Sequence, residues 1–423
     1  MSSQIMYMPN ERPPLLRWIP LCIQNVFAMF GATILVPILV GLNPSTALFT
    51  AGTGTLIYIL VTKAKVPIFL GSSFAFIPPL IAVSAAYGLP AAMGGAFAAG
   101  LFYCLIAGII TATGLKWLDR ALPPVVIGSV IVCIGLNLTP TAVGMAMNGP
   151  DGSYSLVYLS IAAVTLAATV VVNACFKGFF SIIPVLTGLI TGYLFTLIMG
   201  AIFPAYHILN FGVIQDAAWF GLPTFLMPSF SLPAILTFVI VSLATICEHL
   251  GDTLTISKVV GRDFYKDPGI NKTLIGDGLA TSWAALWGGP PNTTYGENIA
   301  TAALTRVYSV WVTGGAAVIA VLLSFFRKFG ALIQTIPAPV LGGISMLLFG
   351  TIASSGLRTI VESGVDFKDK RNLTIASVIL CIGIGGGKLA FELGGGLQFQ
   401  LAGVALATVT GILLNLFLPR TNA

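Results

Sequence analysis

The sequence predicts an all-α, polytopic membrane protein of fourteen transmembrane segments in a 7+7 inverted repeat, with segments three and ten broken into short strand and helix pieces. Three observations predict it. Apolar stretches long enough to cross a bilayer recur along nearly the whole chain. The basic residues sort to one side of those stretches. The two halves carry matching Pro/Gly-broken motifs in the same order.

Of the 423 residues, 57% are hydrophobic and only 8% charged, with a mean hydropathy of +0.97. That is far from a soluble globular average. A helix needs about 18 apolar residues or more to cross roughly 30 Å of hydrocarbon. The fourteen elements are expected at 18–42, 45–62, 66–86, 90–113, 123–145, 154–175, 179–199, 233–257, 273–288, 292–304, 309–326, 337–356, 373–391 and 398–418. Residues 1–17 and 419–423 are expected as cytoplasmic tails. The polar, Pro-containing start lacks a small-residue cleavage site, so it is not read as a signal peptide.

With the N-terminus inside, seventeen of the twenty Lys and Arg fall on the cytoplasmic face, leaving Arg327, Lys328 and Lys388 outside. This bias predicts an even number of spans with both termini cytoplasmic. It also accounts for the net charge of +6 without a nucleic-acid partner, because the basic residues form no patch with interleaved aromatics. The stretch 200–232 has no Lys or Arg and is expected as an extracytoplasmic linker between a first repeat, 18–199, and a second, 233–418.

The repeats match in order. Gly71-Ser72-Ser73-Phe74 resembles Asn292-Thr293-Thr294-Tyr295, Pro124-Val125 resembles Pro339-Val340, and Gln24-Asn25 aligns with Glu248-His249, at offsets of 215 to 224 residues. A repeat of seven elements is odd, so the second copy enters the membrane inverted. Broken elements at corresponding places of an inverted repeat point to a secondary transporter with its substrate near the midplane. Non-helical backbone at that depth survives only where protein or a water-filled cavity satisfies it.

Charge inside such a chain marks function. Glu248 lies mid-element, where a charged residue costs about 2.5 to 3.5 kcal/mol even on the lenient insertion scale, so it faces a cavity or holds a proton. Asp252 is one turn on, and the two carboxyls are placed to share a proton. Glu297 sits beside Gly296 at a helix start, where unpaired N–H groups and the positive dipole end add donors to its acceptor. Ser73 and Phe74 hold the matching place in the first copy. Two such starts suit a small planar ligand that both donates and accepts hydrogen bonds. Asp277, in Gly276-Asp277-Gly278, is expected at a helix start, His249 as a packed or hydrogen-bonded core residue, and Lys388 with Glu392, four residues apart, as an exposed pair at the outer face.

Other classes fail. CIGIGGGKLA lacks the first Gly and the Ser/Thr of a P-loop. Two histidines, and six cysteines without CxxC or CxxH spacing, give no metal site, hydrolase triad or disulfide framework. No cofactor is expected beyond a co-transported proton.

FAMFGATILVP at 27–37, LGSSFAFI at 70–77, EHLGD at 248–252 and GGPPNTTYGENIA at 288–300 resemble the nucleobase-ascorbate transporter family, and within it the bacterial branch that carries uracil. TTYGEN is the most specific, since relatives carrying xanthine or urate typically lack this Glu. The resemblance implies core and gate domains, alternating access, and uracil import coupled to protons across the cell (inner) membrane. By the same resemblance Glu248 and Glu297 bind the ring with backbone groups at Phe74 and Gly296, Ala32 and Tyr295 line the pocket and Ser73 supports it; the proton-coupling role of Glu248 with Asp252 rests on the placement of the two carboxyls. The chain departs from the family pattern at Asn25 and Asp252, where His is usual. Alternatives are a xanthine, urate or anion carrier on the same fold, or a nucleobase receptor or channel that does not carry. Glycines on elements five, twelve and fourteen suit close packing within one chain or between two copies in a homodimer.

Overall fold

The computed structural model describes residues 6–176, 183–204, 208–392 and 398–419. Lys177, His207, Arg420 and the end of the C-terminal tail lie outside the described residues.

The first half runs α1 (Leu15–Val40), α2 (Pro44–Val61), strand β1 (Leu70–Ser72), a single 3-10 turn (Phe74–Phe76), α3 (Ile77–Tyr87), α4 (Leu89–Thr113), α5 (Lys116–Ala121), α6 (Pro124–Asn137), α7 (Thr139–Met147), α8 (Leu156–Cys175) and α9 (Pro184–Ile202). After α10 (Gly212–Asp216) come α11 (Leu232–Val260), α12 (Ile270–Leu286), strand β2 (Asn292–Thr294), α13 (Gly296–Thr305), α14 (Val310–Ser324), α15 (Arg327–Gln334), α16 (Ala338–Glu362), α17 (Lys370–Ile384), β3 (Lys388–Glu392), β4 (Gln398–Ala402) and α18 (Gly403–Phe417). Proline opens the first turn of α2, α4, α6, α9, α11 and α16, where its missing N–H has no intrahelical partner to lose. Left-handed Gly41 and Gly261 end α1 and α11.

Among the described residues, eight helices are long and apolar enough to cross a membrane, from Leu15–Val40 to Ala338–Glu362. The apolar run Pro124–Met147 is one of these, although Pro140 in the first turn of α7 divides it at Leu138. Phe74–Tyr87, Val310–Ser324 and Gly403–Phe417 are shorter apolar helices.

The C-terminal part differs from expectation. Elements expected at 373–391 and 398–418 as continuous helices are instead α17 and α18 joined by β3 and β4, antiparallel from Lys388↔Ala402 to Glu392↔Gln398. Gly385-Gly386-Gly387 ends α17, with Gly386 at φ +68 where a side chain would be strained. Lys388 and Glu392, expected as a pair, therefore stand four residues apart on a strand, about 13 Å at the strand rise. The side chain of Glu392 lies outside the described residues.

The helices pack in two groups. In one, α4 lies on α12 and α11, α2 on α14 and α12, and α1 on α14. In the other, α16 packs on α6, α7 and α8, α8 on α9, and α17 on α18 and α6. Glycines allow the close approaches: a Cβ at Gly278 would lie 2.6 Å from the Gly100 carbonyl, and one at Gly356 2.5 Å from the Gly128 carbonyl. The stretch 208–231 is held by backbone bonds, Gly221 N–H to Phe325 C=O and Arg327 N–H to Trp219 C=O, so it spans the halves as a fixed strap.

Candidate functional site: a carboxyl-lined cavity

Leu70, Gly71 and Ser72 pair antiparallel with Thr294, Thr293 and Asn292, so the matching motifs of the two halves meet at one short ladder. It continues at both ends, where Ser73 N–H donates to Pro291 C=O at 2.9 Å and Tyr295 N–H to Phe69 C=O at 3.0 Å. Because the strands run oppositely, the turn at Phe74 and helix α13 leave at opposite ends, and their N-termini face each other across the ladder. Neither start has a side-chain cap, which leaves backbone donors for a ligand.

Beside the ladder lies a cavity of about 410 Å³ between the two helix groups. Glu248 and Asp252 enter it from α11, Thr293 and Thr294 from β2, and Gly296 and Glu297 from the start of α13. Phe74 and Tyr295 line it as well, and α16 supplies another wall with Leu347 and Leu348; behind it Phe349 meets Phe74 edge-on at 5.5 Å. The α16 wall continues through Thr351, Ser354 and Ser355 to Arg358.

The carboxyls are held differently. Oδ2 of Asp252 accepts the Thr294 hydroxyl at 2.7 Å. Oε2 of Glu248 is buried without a hydrogen-bond partner, as is the hydroxyl of Thr293. The two groups lie near each other at the cavity, where each can pair with the other or with a ligand. Tyr295 is pinned, its hydroxyl donating to Ser72 C=O at 3.2 Å and accepting from Thr33 at 3.1 Å. Asn298, one residue beyond Glu297, donates to Asn25 C=O at 3.1 Å and to the Asn25 side chain, tying α13 to α1.

Of the residues singled out from sequence, Glu248, Asp252, Glu297, Phe74, Tyr295 and Gly296 line the cavity together. Ala32 and Ser73 do not; both are buried behind the wall, and α1 contributes Phe27 and Ala28 instead. Asp277 departs most. It is fully buried in the middle of α12, with Oδ2 2.9 Å from Nδ1 of His249, whose Nε2 lies 3.0 Å from the Thr273 hydroxyl. The flanking glycines that suggested a helix start serve packing: Gly276 lies against Tyr58 and Gly278 against α4. Sequence reasoning missed the His249–Asp277 contact, the Thr294 bond and the hydroxyls of α16. The Thr293-Thr294 doublet was visible only as half of a repeat.

The fold and cavity define a multi-pass membrane permease, and comparison places it further. A family model described as Permease family matches residues 16–390, and the chain belongs to that family, the nucleobase-ascorbate transporters. It is 53% identical to a uracil permease of Bacillus caldolyticus, covering 97% of this chain and 94% of the relative. A uracil permease of Bacillus subtilis is 50% identical (98% and 95% covered), and one of Escherichia coli 44% (96% and 92%). Among solved structures, the murine Solute Carrier 26 member A9 anion transporter in its inward-facing state superposes with a TM-score of 0.69 at 11% identity, covering 96% of this chain and 68% of that one. The transmembrane domain of a cyanobacterial bicarbonate transporter, BicA, gives 0.64 at 14%, covering 98% and 100%. At such identity these two share the fold alone.

Proposed function

We propose that this protein imports uracil together with protons, by alternating access, through a fourteen-segment inverted repeat. The observation that carries the reading is the pairing of two carboxyl side chains, Glu248 and Glu297, with two uncapped helix starts at one small cavity. Uracil is a flat ring with N–H donors and C=O acceptors, the complement of carboxyl oxygens plus backbone N–H groups. A cavity of about 410 Å³ has room for one such ring with water around it, since one water takes up about 30 Å³ in the liquid. Relatives named uracil permeases along nearly the full length support the substrate.

In this mechanism the group of α1–α4 and α11–α14 is the core and the group of α6–α9 and α16–α18 the gate. Glu248 takes up a proton, with Asp252 able to exchange it, and so offers both a donor and an acceptor to the ring. Uracil binding then favours movement of the core against the gate. Release of ring and proton inside leaves an empty carrier free to return. A ligand drives such a cycle only through its differential affinity for the two states.

Uptake of labelled uracil into proteoliposomes tests the reading. An inward proton gradient is expected to give saturable, concentrative uptake that a protonophore abolishes, and unlabelled xanthine, urate and sulfate are expected not to compete. Protonophore-insensitive, non-saturating flux would mean a channel; competition by sulfate or urate would mean another carrier on the same fold.

A further inference from the structure

His249 is fully buried next to Glu248, near the carboxyls of Asp252 and Asp277, and is not among the residues that line the cavity. Its two ring nitrogens reach two residues one turn apart on α12, Nδ1 to Asp277 at 2.9 Å and Nε2 to Thr273 at 3.0 Å. All three residues are fully buried. The other titratable side chains around the contact are Tyr58 of α2, Tyr103 and Cys104 of α4, and Cys247 of α11; Tyr103 is engaged by Thr245. Asp277 has no aligned hydrogen bond among the described residues, so His249 is its nearest charge partner.

What this contact does follows from what α12 otherwise holds. α12 packs chiefly on α4 and α2 and touches α11 over a small area, and there His249 makes one hydrogen-bond contact, with Thr273, and one close charge contact, with Asp277. The same α12 fixes β2, through the Thr281 hydroxyl to Asn292 C=O at 2.8 Å and the Asn292 amide to Ala280 C=O at 3.4 Å. Glu248 is the neighbour of His249 in α11, and Glu297 follows β2. We propose that His249 is a positioning residue: with Asp277 it makes α12 the common frame that sets the separation of Glu248 and Glu297, so that both grip one ring. This rests on the reading that those two carboxyls bind the substrate.

The test uses full-length protein in nanodiscs, with uracil Kd from calorimetry and thermal unfolding on the same samples. An Asn amide stands where Nδ1 does and a Gln amide where Nε2 does. His249→Asn, keeping the approach to Asp277, is expected within about threefold of wild type, whereas His249→Gln weakens Kd about tenfold. Glu297→Gln is expected to cost markedly less in the His249→Gln background than alone, because the joint grip is already lost. Asp277→Asn, of similar volume, gives the same loss and the same non-additivity if His249→Gln fails to fold. A purely structural role lowers the unfolding midpoint but leaves Kd of the folded protein and the additivity of the pair intact, which overturns the inference. If Glu297→Gln alone leaves Kd unchanged, the two-carboxyl reading falls first and takes this one with it.

Discussion

Thr294 donates its hydroxyl to Oδ2 of Asp252 at 2.7 Å, tying strand β2 to the carboxyl-bearing face of α11. Both residues are buried, so deleting the donor strands an acceptor, which costs about 1 to 3 kcal/mol. Thr294→Val keeps the shape and loses the hydroxyl. It is expected to raise the KM for uracil about tenfold and lower the thermal midpoint, while Thr294→Ser stays near wild type. Uptake kinetics with thermal unfolding in detergent check both.

Glu248 and Glu297 differ in what they lose. Oε2 of Glu248 makes no well-aligned hydrogen bond within the protein, so it is open to a ligand in the cavity. Glu248→Gln removes the exchangeable proton and is expected to abolish accumulation driven by a proton gradient, with uracil exchange across the membrane retained in part. Glu297→Gln turns an acceptor toward a ring N–H into a partial donor. It is expected to weaken Kd by about 1 to 3 kcal/mol, roughly ten- to a hundredfold, with coupling intact. Counterflow set beside gradient-driven uptake separates the two; equal losses in both assays for both variants would contradict the division of roles.

These residues were legible because the membrane makes charge conspicuous. An acid in an apolar run needs a reason, and Pro/Gly-broken stretches at matching places in two halves need a cavity. The pairing of Leu70–Ser72 with Asn292–Thr294 was not legible: three residues carry no period, and the partner is over two hundred positions away. The β3–β4 hairpin was hidden for a related reason, since apolar residues beside GIGGGK read as the end of a helix. Asp277 was misplaced because Gly-Asp-Gly has two physical meanings, a helix start or a helix packed at backbone distance, and only the position of Tyr58 and Gly100 selects between them. Ala32 was carried over by resemblance, and its place depends on helix rotation, which an almost uniformly apolar α1 does not encode.

Gly71 is required by Tyr295. A Cβ built on Gly71 would lie 2.5 Å from the Tyr295 ring, which is itself fixed by Thr33 and Ser72 and has nowhere to move. Overpacking a buried site typically costs about 1 to 3 kcal/mol. Gly71→Ala is expected to lower the thermal midpoint and reduce uracil affinity together, because the displaced ring adjoins Gly296 and Glu297. Gly108, whose Cβ meets nothing within 4 Å, is the control, and Gly108→Ala is expected to be neutral.

Tyr295 joins three elements through one hydroxyl, donating to Ser72 C=O of β1 and accepting from Thr33 of α1 while its own backbone opens α13. Tyr295→Phe keeps the ring against the cavity and removes only that hydroxyl. Ser72 faces out of the ladder, so its buried C=O loses its partner, while the Thr33 hydroxyl has Met29 Sδ at 3.2 Å as a second, weaker acceptor; the loss is about 1 to 3 kcal/mol. The consequence falls on geometry more than on stability, because Gly296 and Glu297 follow directly and lose their anchor to α1. Tyr295→Phe is expected to raise the KM for uracil several-fold with a thermal midpoint within a few degrees of wild type. Tyr295→Leu, which also empties the ring volume, is expected to lower both. If Tyr295→Phe leaves KM unchanged, the hydroxyl is only a packing bond, and the start of α13 is held by the β1–β2 ladder, the Thr294–Asp252 bond and the Asn298–Asn25 bond.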